Sequence, residues 1–309
     1  MEKYSQRLAY GEAITALGAE NPNVVALEAD LGKSTMSSLF QAAHPDRYFE
    51  MGIAEANMIS TAAGLAASGK IAFCSSFAVF ASGRAYDQIR QTVAIGKLNV
   101  KICGSSSGLS DFGDGSTHQA VEDIAIMSAI PNMTVFTPAD ADEVRKSVRA
   151  AAAIEGPVYI RVTRADVPAY TKGDFIPGKL RALKDRDDAV CAIIAHGIMV
   201  EAAMNASDIL EEKGIKAAVI NAGTMKPFDT EGLLELSKRV KAIVTAEDHS
   251  YIGGLASHAA MALRKSAVPM DYVAIRDRFG QSAHSLGDLL EHYGLTAGAI
   301  ADKAVALLN

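Results

Sequence analysis

Residues 47–77, RYFEMGIAEANMISTAAGLAASGKIAFCSSF, decide the fold class. A helix-like pattern runs from Glu55 to Ala67, and a short strand-like run follows at Ile71–Cys74. Another such run, Val24–Glu28, precedes the quoted stretch. Short aliphatic runs that alternate with longer helical patterns are typical of parallel sheets flanked by helices. We therefore predict an α/β fold with mainly parallel sheets.

The alternation extends over the whole chain with one interruption. The first half adds predicted strands at Val100–Cys103, Thr134–Phe136 and Val158–Val162, and the second half resumes the pattern at residue 188. Helices of the first half are predicted at Leu8–Leu17, Glu55–Ala67, Arg84–Val93, Ala120–Ala129 and Asp140–Ile154. Proline, glycine and charged residues dominate the interruption. We predict a domain at residues 1–170, a linker at 171–187 and a second domain at 188–309.

Composition excludes several classes of protein. Of the 309 residues, 49% are hydrophobic and 21% are charged, which is the balance of a compact soluble protein. The net charge of −6 offers no basic surface for nucleic acid, and no apolar run approaches a membrane span. The cysteines, Cys74, Cys103 and Cys191, are widely spaced, without histidines at metal-ligand spacing. We expect no disulfide framework, no metal site and a cytoplasmic location.

Glu55 is a candidate functional residue because it opens the predicted helix Glu55–Ala67. A negative charge at a helix N-terminus is favourable in itself, so a capping carboxylate is the alternative. A second candidate stretch places Phe77 and Phe80 three residues apart, just after a predicted buried strand. The two rings could present a flat apolar platform to a ligand ring, or they could be ordinary core residues.

A glycine-rich loop, residues 108–119, carries Asp114 and His118 between a predicted strand and a predicted helix. Proteins of the α/β class place their sites at such carboxyl ends of parallel strands, and glycine permits close approach of a ligand. The triplet at residues 113–115, Gly-Asp-Gly, would suit a metal–diphosphate motif only with an asparagine one helix and strand later. The next strand has no such asparagine, so we exclude a diphosphate site there.

Taken in order, these stretches resemble the transketolase family over nearly the whole chain. Residues 53–58 resemble the family's glutamate motif, residues 75–90 its aromatic segment, and residues 114–119 its substrate loop. In the second half the resemblance continues at Gly223–Asp229, Glu247–Gly254 and Asp277–Gly280. The resemblance implies a pyrimidine-binding domain at 1–170 and a transketolase C-terminal domain at 188–309.

The resemblance also implies roles toward thiamine diphosphate. Glu55 would hydrogen-bond N1′ of the aminopyrimidine and so promote formation of the ylid that attacks a ketose carbonyl. Phe80, with Phe77 beside it, would stack on the pyrimidine. Leu31 would hold the cofactor in its bent shape, with Asp30 close by.

For the substrate, the resemblance implies that His118 and Asp114 bind sugar hydroxyls, His118 acting in catalysis. Arg7, Ser34 and Arg164 match positions that hold the sugar phosphate, a task that suits arginine. The sequence departs from many relatives at Ser106, which stands where they carry a phosphate-binding histidine. A modified or branched sugar is therefore an alternative substrate.

The chain lacks the GDG…N motif that holds Mg²⁺ and the diphosphate in full-length transketolases. The resemblance therefore implies an N-terminal partner subunit that supplies this half-site, and an α2β2 assembly. A fragment-type deoxyxylulose-phosphate synthase, a 2-oxoacid dehydrogenase β subunit and a non-catalytic subunit are alternatives. Joint retention of Glu55, His118, Arg7 and Arg164 disfavours a non-catalytic subunit.

Overall fold

The computed structural model describes residues 2–309, and these form 14 strands and 12 α-helices. The strands are β1 (Lys3–Ser5), β2 (Val24–Glu28), β3 (Tyr48–Glu50), β4 (Ile71–Phe77), β5 (Val100–Ser105), β6 (Thr134–Phe136), β7 (Val158–Arg161), β8 (Asp166–Pro168), β9 (Arg181–Lys184), β10 (Cys191–Ala195), β11 (Ala217–Asn221), β12 (Thr224–Lys226), β13 (Ala242–Ser250) and β14 (Met270–Ile275). The helices are α1 (Gln6–Glu20), α2 (Gly32–Thr35), α3 (Ser38–Ala43), α4 (Glu55–Ala67), α5 (Tyr86–Gln88), α6 (Asp123–Ala129), α7 (Ala141–Ala153), α8 (Met199–Glu212), α9 (Thr230–Arg239), α10 (Leu255–Ala262), α11 (Leu286–His292) and α12 (Ala297–Leu308).

The first sheet has seven strands in the order β12-β6-β7-β5-β4-β2-β3. All pairings among the six strands from the first half of the chain are parallel. The edge strand β12 comes from the second half and pairs antiparallel with β6. The predicted fold class is confirmed, and the sheet itself links the two halves of the chain.

The second sheet has five strands in the order β14-β13-β10-β11-β9. Its first four strands are parallel, and β9 is an antiparallel edge strand. Strand β9 lies within the predicted linker, residues 171–187, so part of that segment belongs to the second sheet. Short edge strands often carry charged residues. Composition alone therefore made this strand look like part of a linker.

Both sheets are covered on their two faces by helices. Every residue of β2, β5, β10 and β11 is buried, as is expected when helices pack on both faces of a parallel sheet. Polar groups can therefore reach a ligand only beyond the ends of these strands. Within residues 2–309 we find no helix that is long and apolar enough to cross a membrane.

The segment that links β4 to β5 departs from a regular helix. Residues 84–93 are predicted as one α-helix, but α5 is only a short α-helical turn between two π-helical stretches, Phe80–Arg84 and Ile89–Ala94. A π-turn adds one residue to each turn and occurs frequently at functional sites. Apolar periodicity read from sequence does not distinguish the two kinds of turn.

Candidate active site

The predicted site residues lie beyond the carboxyl ends of four neighbouring strands of the first sheet. Asp30, Leu31 and Ser34 follow β2, Phe80 follows β4, Asp114 and His118 follow β5, and Arg164 follows β7. Phe77 is the last residue of β4, Glu55 is the first residue of α4, and Arg7 lies in the first turn of α1. The carboxyl ends of parallel strands meet at one edge of the sheet, where α/β proteins bind ligands.

The aromatic segment and the glycine-rich loop meet at one corner of this edge. The rings of Phe77 and Phe80 are stacked, with centroids 6.1 Å apart and an interplanar angle of 17°. The imidazole of His118 stands edge-on to Phe80, with ring centroids 5.2 Å apart. Phe77 is buried and Phe80 is half-buried, so Phe80 is the more accessible of the two rings.

Glu55 is buried at the start of α4, and its carboxylate does not cap the helix. The N-cap residue is Ala54, and the carboxylate of Glu55 instead accepts a hydrogen bond from Arg84, with Nη1 and Oε1 3.0 Å apart. The guanidinium of Arg84 also lies over the ring of Phe80, 4.1 Å from its centroid. Arg84 therefore joins the carboxylate and the aromatic ring that the sequence assigns to one ligand.

A second group of predicted site residues contains two arginines, Arg7 and Arg164. Nη1 of Arg7 donates to the backbone carbonyl of Ser34 at 2.9 Å. Nη1 of Arg164 donates to Oδ2 of Asp111 at 2.9 Å. Burial, followed by the positive charge of Arg164, lowers the pKa of Arg7. Nε of Arg7 is buried without a hydrogen-bond partner among residues 2–309, as expected for a donor that awaits a ligand.

Asp30 and Leu31 line a cleft of about 370 Å³ together with Ser34, Tyr48 and Glu50. Asp30 has a φ of 62° and is exposed, and its N–H donates to Oε1 of Glu50 at 2.8 Å. Leu31 is half-buried and is the N-cap residue of the short helix α2. A branched apolar side chain at the wall of an open cleft suits a wedge against a cofactor.

Buried polar groups support this cleft from behind. Glu28 ends β2, and its Oε2 accepts hydrogen bonds from the hydroxyls of Thr35 and Ser37, both at 2.6 Å. Burial raises the pKa of Glu28 to about 7, despite these two donors. Ser106 is buried at a φ of 52°, and its hydroxyl has no hydrogen-bond partner in the described part of the chain.

The second domain holds the glycine-rich loop in place. The backbone N–H of Ala283 donates to the carbonyl of Phe112 at 2.9 Å. Nε2 of the buried Gln119 donates to the carbonyls of Asp111 and Gln281, at 3.0 and 3.1 Å. A segment of the second domain, which we call the 277–284 loop, thus fixes the loop that carries Asp114 and His118.

Sequence reasoning gave no role to Arg84, Glu28 or Gln119. Arg84 and Gln119 stand inside the motifs that carry the resemblance, which is a signal that could have singled them out, whereas Glu28 lies outside those motifs. Their partners are distant in sequence, however, and periodicity reports only on near neighbours.

Three of the described residues have the chemistry that an aminopyrimidine ring requires. Glu55, Phe80 and Leu31 supply a carboxylate, an aromatic face and an apolar wedge, which fit the pyrimidine half of thiamine diphosphate. Across residues 2–309 no group of three or more His, Cys, Asp or Glu side chains is arranged to hold a metal ion. Asp114, in the Gly-Asp-Gly triplet, is exposed on the glycine-rich loop.

Comparisons with known proteins identify the two halves of the chain. Residues 2–169 match the family described as "Transketolase, pyrimidine binding domain", and residues 178–300 match "Transketolase, C-terminal domain". The chain is 43% identical to a "Putative transketolase C-terminal section" of Methanocaldococcus jannaschii, over 96% of this chain and 94% of the relative. It is 41% identical to a "6-deoxy-6-sulfo-D-fructose transketolase subunit SqwH" of Clostridium sp., over 98% and 94% of the two chains.

Among solved structures, the chain resembles one described as "Split gene transketolase, inactive beta4 tetramer". The TM-score is 0.89 and the identity 44%, over 99% of both chains. These matches confirm the resemblance predicted from the glutamate, aromatic and loop motifs, and thiamine diphosphate is the cofactor generally used by this family. The chain belongs to the transketolase family and corresponds to its C-terminal section.

Proposed function

We propose that this chain is the C-terminal subunit of a two-subunit transketolase that transfers a two-carbon ketol unit from a ketose to an aldose. The observation that carries the proposal is that Glu55, Phe80 and His118 lie together at one edge of the sheet. Arg84 contacts both Glu55 and Phe80, and Phe80 contacts His118. The two relatives and the solved structure named above are transketolases, which disfavours a synthase or dehydrogenase of the same architecture.

Toward the cofactor, Glu55 would bond N1′ of the aminopyrimidine and hold or share the proton at that atom. Phe80 would stack on the pyrimidine, with Phe77 behind it, and Leu31 and Asp30 would line the adjacent wall. Thiamine diphosphate, when bound, supplies the carbon nucleophile and the electron sink that side chains lack. Burial of Glu55 excludes water from its carboxylate, which strengthens its hydrogen bond to the ring.

Toward the sugar, His118 and Asp114 would bind hydroxyl groups near the bond that is cleaved. Nδ1 of His118 lies 2.9 Å from the hydroxyl of Thr117, a contact that orients the imidazole. Nε2 has no hydrogen bond within residues 2–309, which leaves it available to a substrate hydroxyl. The imidazole of His118 also packs edge-on against Phe80, the ring that we propose stacks on the pyrimidine.

Arg7, Ser34 and Arg164 would bind the anionic end of the sugar, and we propose a phosphate there. A charge-assisted hydrogen bond to arginine contributes about 1.5–3 kcal/mol, so Arg164→Ala should raise KM for a phosphorylated ketose roughly tenfold to a hundredfold. The dephosphorylated sugar should be a poor donor with or without this change.

A sulfonate is the second candidate for the anionic group. Two points favour it: the resemblance places Ser106 where many relatives carry a phosphate-binding histidine, and one relative is named as a 6-deoxy-6-sulfo-D-fructose transketolase subunit. Kinetics with fructose 6-phosphate, its 6-sulfo analogue and free fructose would decide between them. A higher kcat/KM for the 6-sulfo sugar would show that the site binds a sulfonate rather than a phosphate. Equal kcat/KM values for all three sugars would contradict an anion site at these residues.

We further propose that an N-terminal subunit completes the active site and holds Mg²⁺ with a GDG…N motif, giving an α2β2 assembly. The names of the relative and of the solved structure, a C-terminal section and a split-gene protein, support such a partner. A reducing, cytoplasmic location is supported by the thiols of Cys74, Cys103 and Cys191, which are buried and unpaired.

The test of the chemistry is ketol transfer by the reconstituted pair of subunits. Glu55→Gln should lower kcat by about 10²–10⁴-fold, the range of an acid–base group, while the two subunits still assemble. Glu12→Gln, on the exposed face of α1, is a matched control and should keep the wild-type rate. A Glu55→Gln enzyme with more than about a tenth of the wild-type kcat would contradict the role of Glu55.

A further inference from the structure

Arg84 bridges the two residues to which the proposed function assigns the pyrimidine ring. Its Nη1 lies 3.0 Å from Oε1 of Glu55, and its Cζ lies 4.1 Å from the ring centroid of Phe80. The bond from Arg84 is the sole side-chain hydrogen bond of Glu55 within residues 2–309. The guanidinium of Arg84 therefore contacts both the carboxylate of Glu55 and the face of the Phe80 ring.

A guanidinium and an aminopyrimidine offer similar chemistry at these two contacts. Both are flat and delocalised, so both can stack on an aromatic ring. Both can also form a hydrogen bond with a carboxyl group at the edge of the plane, the guanidinium as a donor to the carboxylate and N1′ of the pyrimidine as the partner of the shared carboxyl proton. In the proposed function, the pyrimidine would stack on Phe80 and bond Glu55, which are the contacts that Arg84 makes.

We propose that Arg84 is an internal placeholder for the pyrimidine ring, an inference that rests on the proposed function. In the chain without cofactor, Arg84 balances the charge of Glu55 and covers Phe80. When thiamine diphosphate binds, the guanidinium leaves and the pyrimidine takes its two contacts. Arg84 thus stabilises the cofactor-free chain and weakens cofactor binding by competition.

The surroundings of Arg84 allow this exchange. Its side chain is 53% exposed, whereas that of Glu55 is 4% exposed, so the arginine can move into solvent while the carboxylate stays in place. Gly83, the preceding residue, has open space around it. Arg84 ends the π-helical stretch Phe80–Arg84, and its long side chain can change rotamer without a change in the backbone.

Because Arg84 would compete with the cofactor, removing its guanidinium should raise the affinity for the cofactor. A partly exposed ion pair and a cation–π contact together would reduce cofactor affinity by about three- to thirtyfold. Removing the guanidinium also leaves the buried carboxylate of Glu55 without a partner until the cofactor arrives. Both effects make Arg84→Met bind the cofactor more tightly than wild type, whereas a residue that supports the bound ring would do the opposite.

The experiment measures Kd for thiamine diphosphate with Mg²⁺ by calorimetry, on the chain assembled with its N-terminal subunit. Arg84→Met should lower Kd by about three- to thirtyfold, and Arg84→Lys, which keeps the charge but not the flat face, should give a smaller decrease. Arg90→Met is the matched control, because Arg90 is exposed in the next π-helical stretch and its side chain makes no hydrogen bond in the described residues. It should leave Kd unchanged.

A second readout is independent of the cofactor. Thermal unfolding of the lone chain should occur at a lower temperature in Arg84→Met than in Arg90→Met, because the first change removes a contact of the cofactor-free state. An unchanged or raised Kd for Arg84→Met, with a wild-type assembly that binds cofactor, would overturn the placeholder alone. Failure of every assembly, wild type included, to bind cofactor would overturn the proposed function and the placeholder with it.

Discussion

Nη1 of Arg161, in the first domain, lies 2.7 Å from Oδ1 of Asp248, in the second domain, and both side chains are buried. Nε of Arg161 also lies 3.1 Å from Oδ2 of Asp123, which accepts a hydrogen bond from Tyr159. Burial alone would lower the pKa of Arg161, but Asp123 and Asp248 raise it above its usual value. The motif at residues 247–254 that supports the family assignment thus includes a residue that joins the two domains.

Arg161→Met should destabilise the chain by about 3–5 kcal/mol, because it leaves two buried carboxylates without their cation. Arg149→Met is the matched control, since Arg149 pairs with Glu20 on the surface and exposed pairs contribute about 0–1 kcal/mol. Equilibrium unfolding in urea measures both. Equal losses of unfolding free energy in the two variants would show that the buried pair does not hold the domains together.

The buried carboxyl group of Glu247 makes the free energy of unfolding depend on pH. Its carboxylate accepts hydrogen bonds from the backbone N–H groups of Leu255 and Ala256, at the start of α10. Burial nevertheless raises the pKa of Glu247 from 4.5 to about 8. At a pH between 4.5 and about 8, Glu247 keeps its proton in the folded chain and releases it in the unfolded chain. Its contribution to stability is therefore complete below pH 4.5 and is lost as pH rises toward 8.

The difference in unfolding free energy between wild type and Glu247→Gln should therefore decrease as pH rises from about 5.5 to about 7.5. The slope should be at most about 1.4 kcal/mol per pH unit, the value for one proton. Urea unfolding of both proteins at several pH values gives this difference and cancels the titration of other groups. Parallel curves would contradict a buried carboxyl that keeps its proton.

The 277–284 loop should control the substrate site through Gln119. A Cβ added at Gly280 would lie 1.7 Å from Oε1 of Gln119, so Gly280→Ala must displace Gln119 and the glycine-rich loop that it holds. A small displacement of a positioning group can cost up to about a hundredfold, and we expect kcat/KM for the ketose to fall about tenfold or more.

Gly287→Ala provides the control for that change. A Cβ at Gly287 would meet its nearest neighbour, the hydroxyl of Ser285, at 3.6 Å, which is an ordinary contact. Steady-state kinetics of the two variants in the reconstituted enzyme separate the clash from the general effect of an added methyl group. A wild-type kcat/KM in Gly280→Ala would mean that the second domain does not position the loop.

Sequence pattern predicted the features that depend on near neighbours. Helix α4 begins and ends where predicted, and α7, predicted at Asp140–Ile154, is flanked by those two residues as its caps. The resemblance also assigned residues that the fold collects at one sheet edge, because successive parallel strands end on the same side. Locally encoded structure and the fold class were therefore within reach.

Features that depend on distant partners were not predicted. The approach of Arg84 to Glu55 across 29 positions, and of Arg161 to Asp248 across 87, leaves no periodic trace in the sequence. Strand β12 crosses to the first sheet after only a short connection from β11, which gives no signal of a change of sheet. In each case the tertiary packing, rather than local propensity, decides the contact.

In the proposed function, this chain carries only the pyrimidine half of a cofactor site and needs a partner for the diphosphate half. Calorimetric titration with thiamine diphosphate and Mg²⁺, of the lone chain and of the chain mixed with its N-terminal subunit, tests it most directly. We predict weak binding by the lone chain, with Kd above about a micromolar, and a clear gain in affinity in the mixture. Sub-micromolar binding by the lone chain, unchanged when the partner is added, would contradict the account.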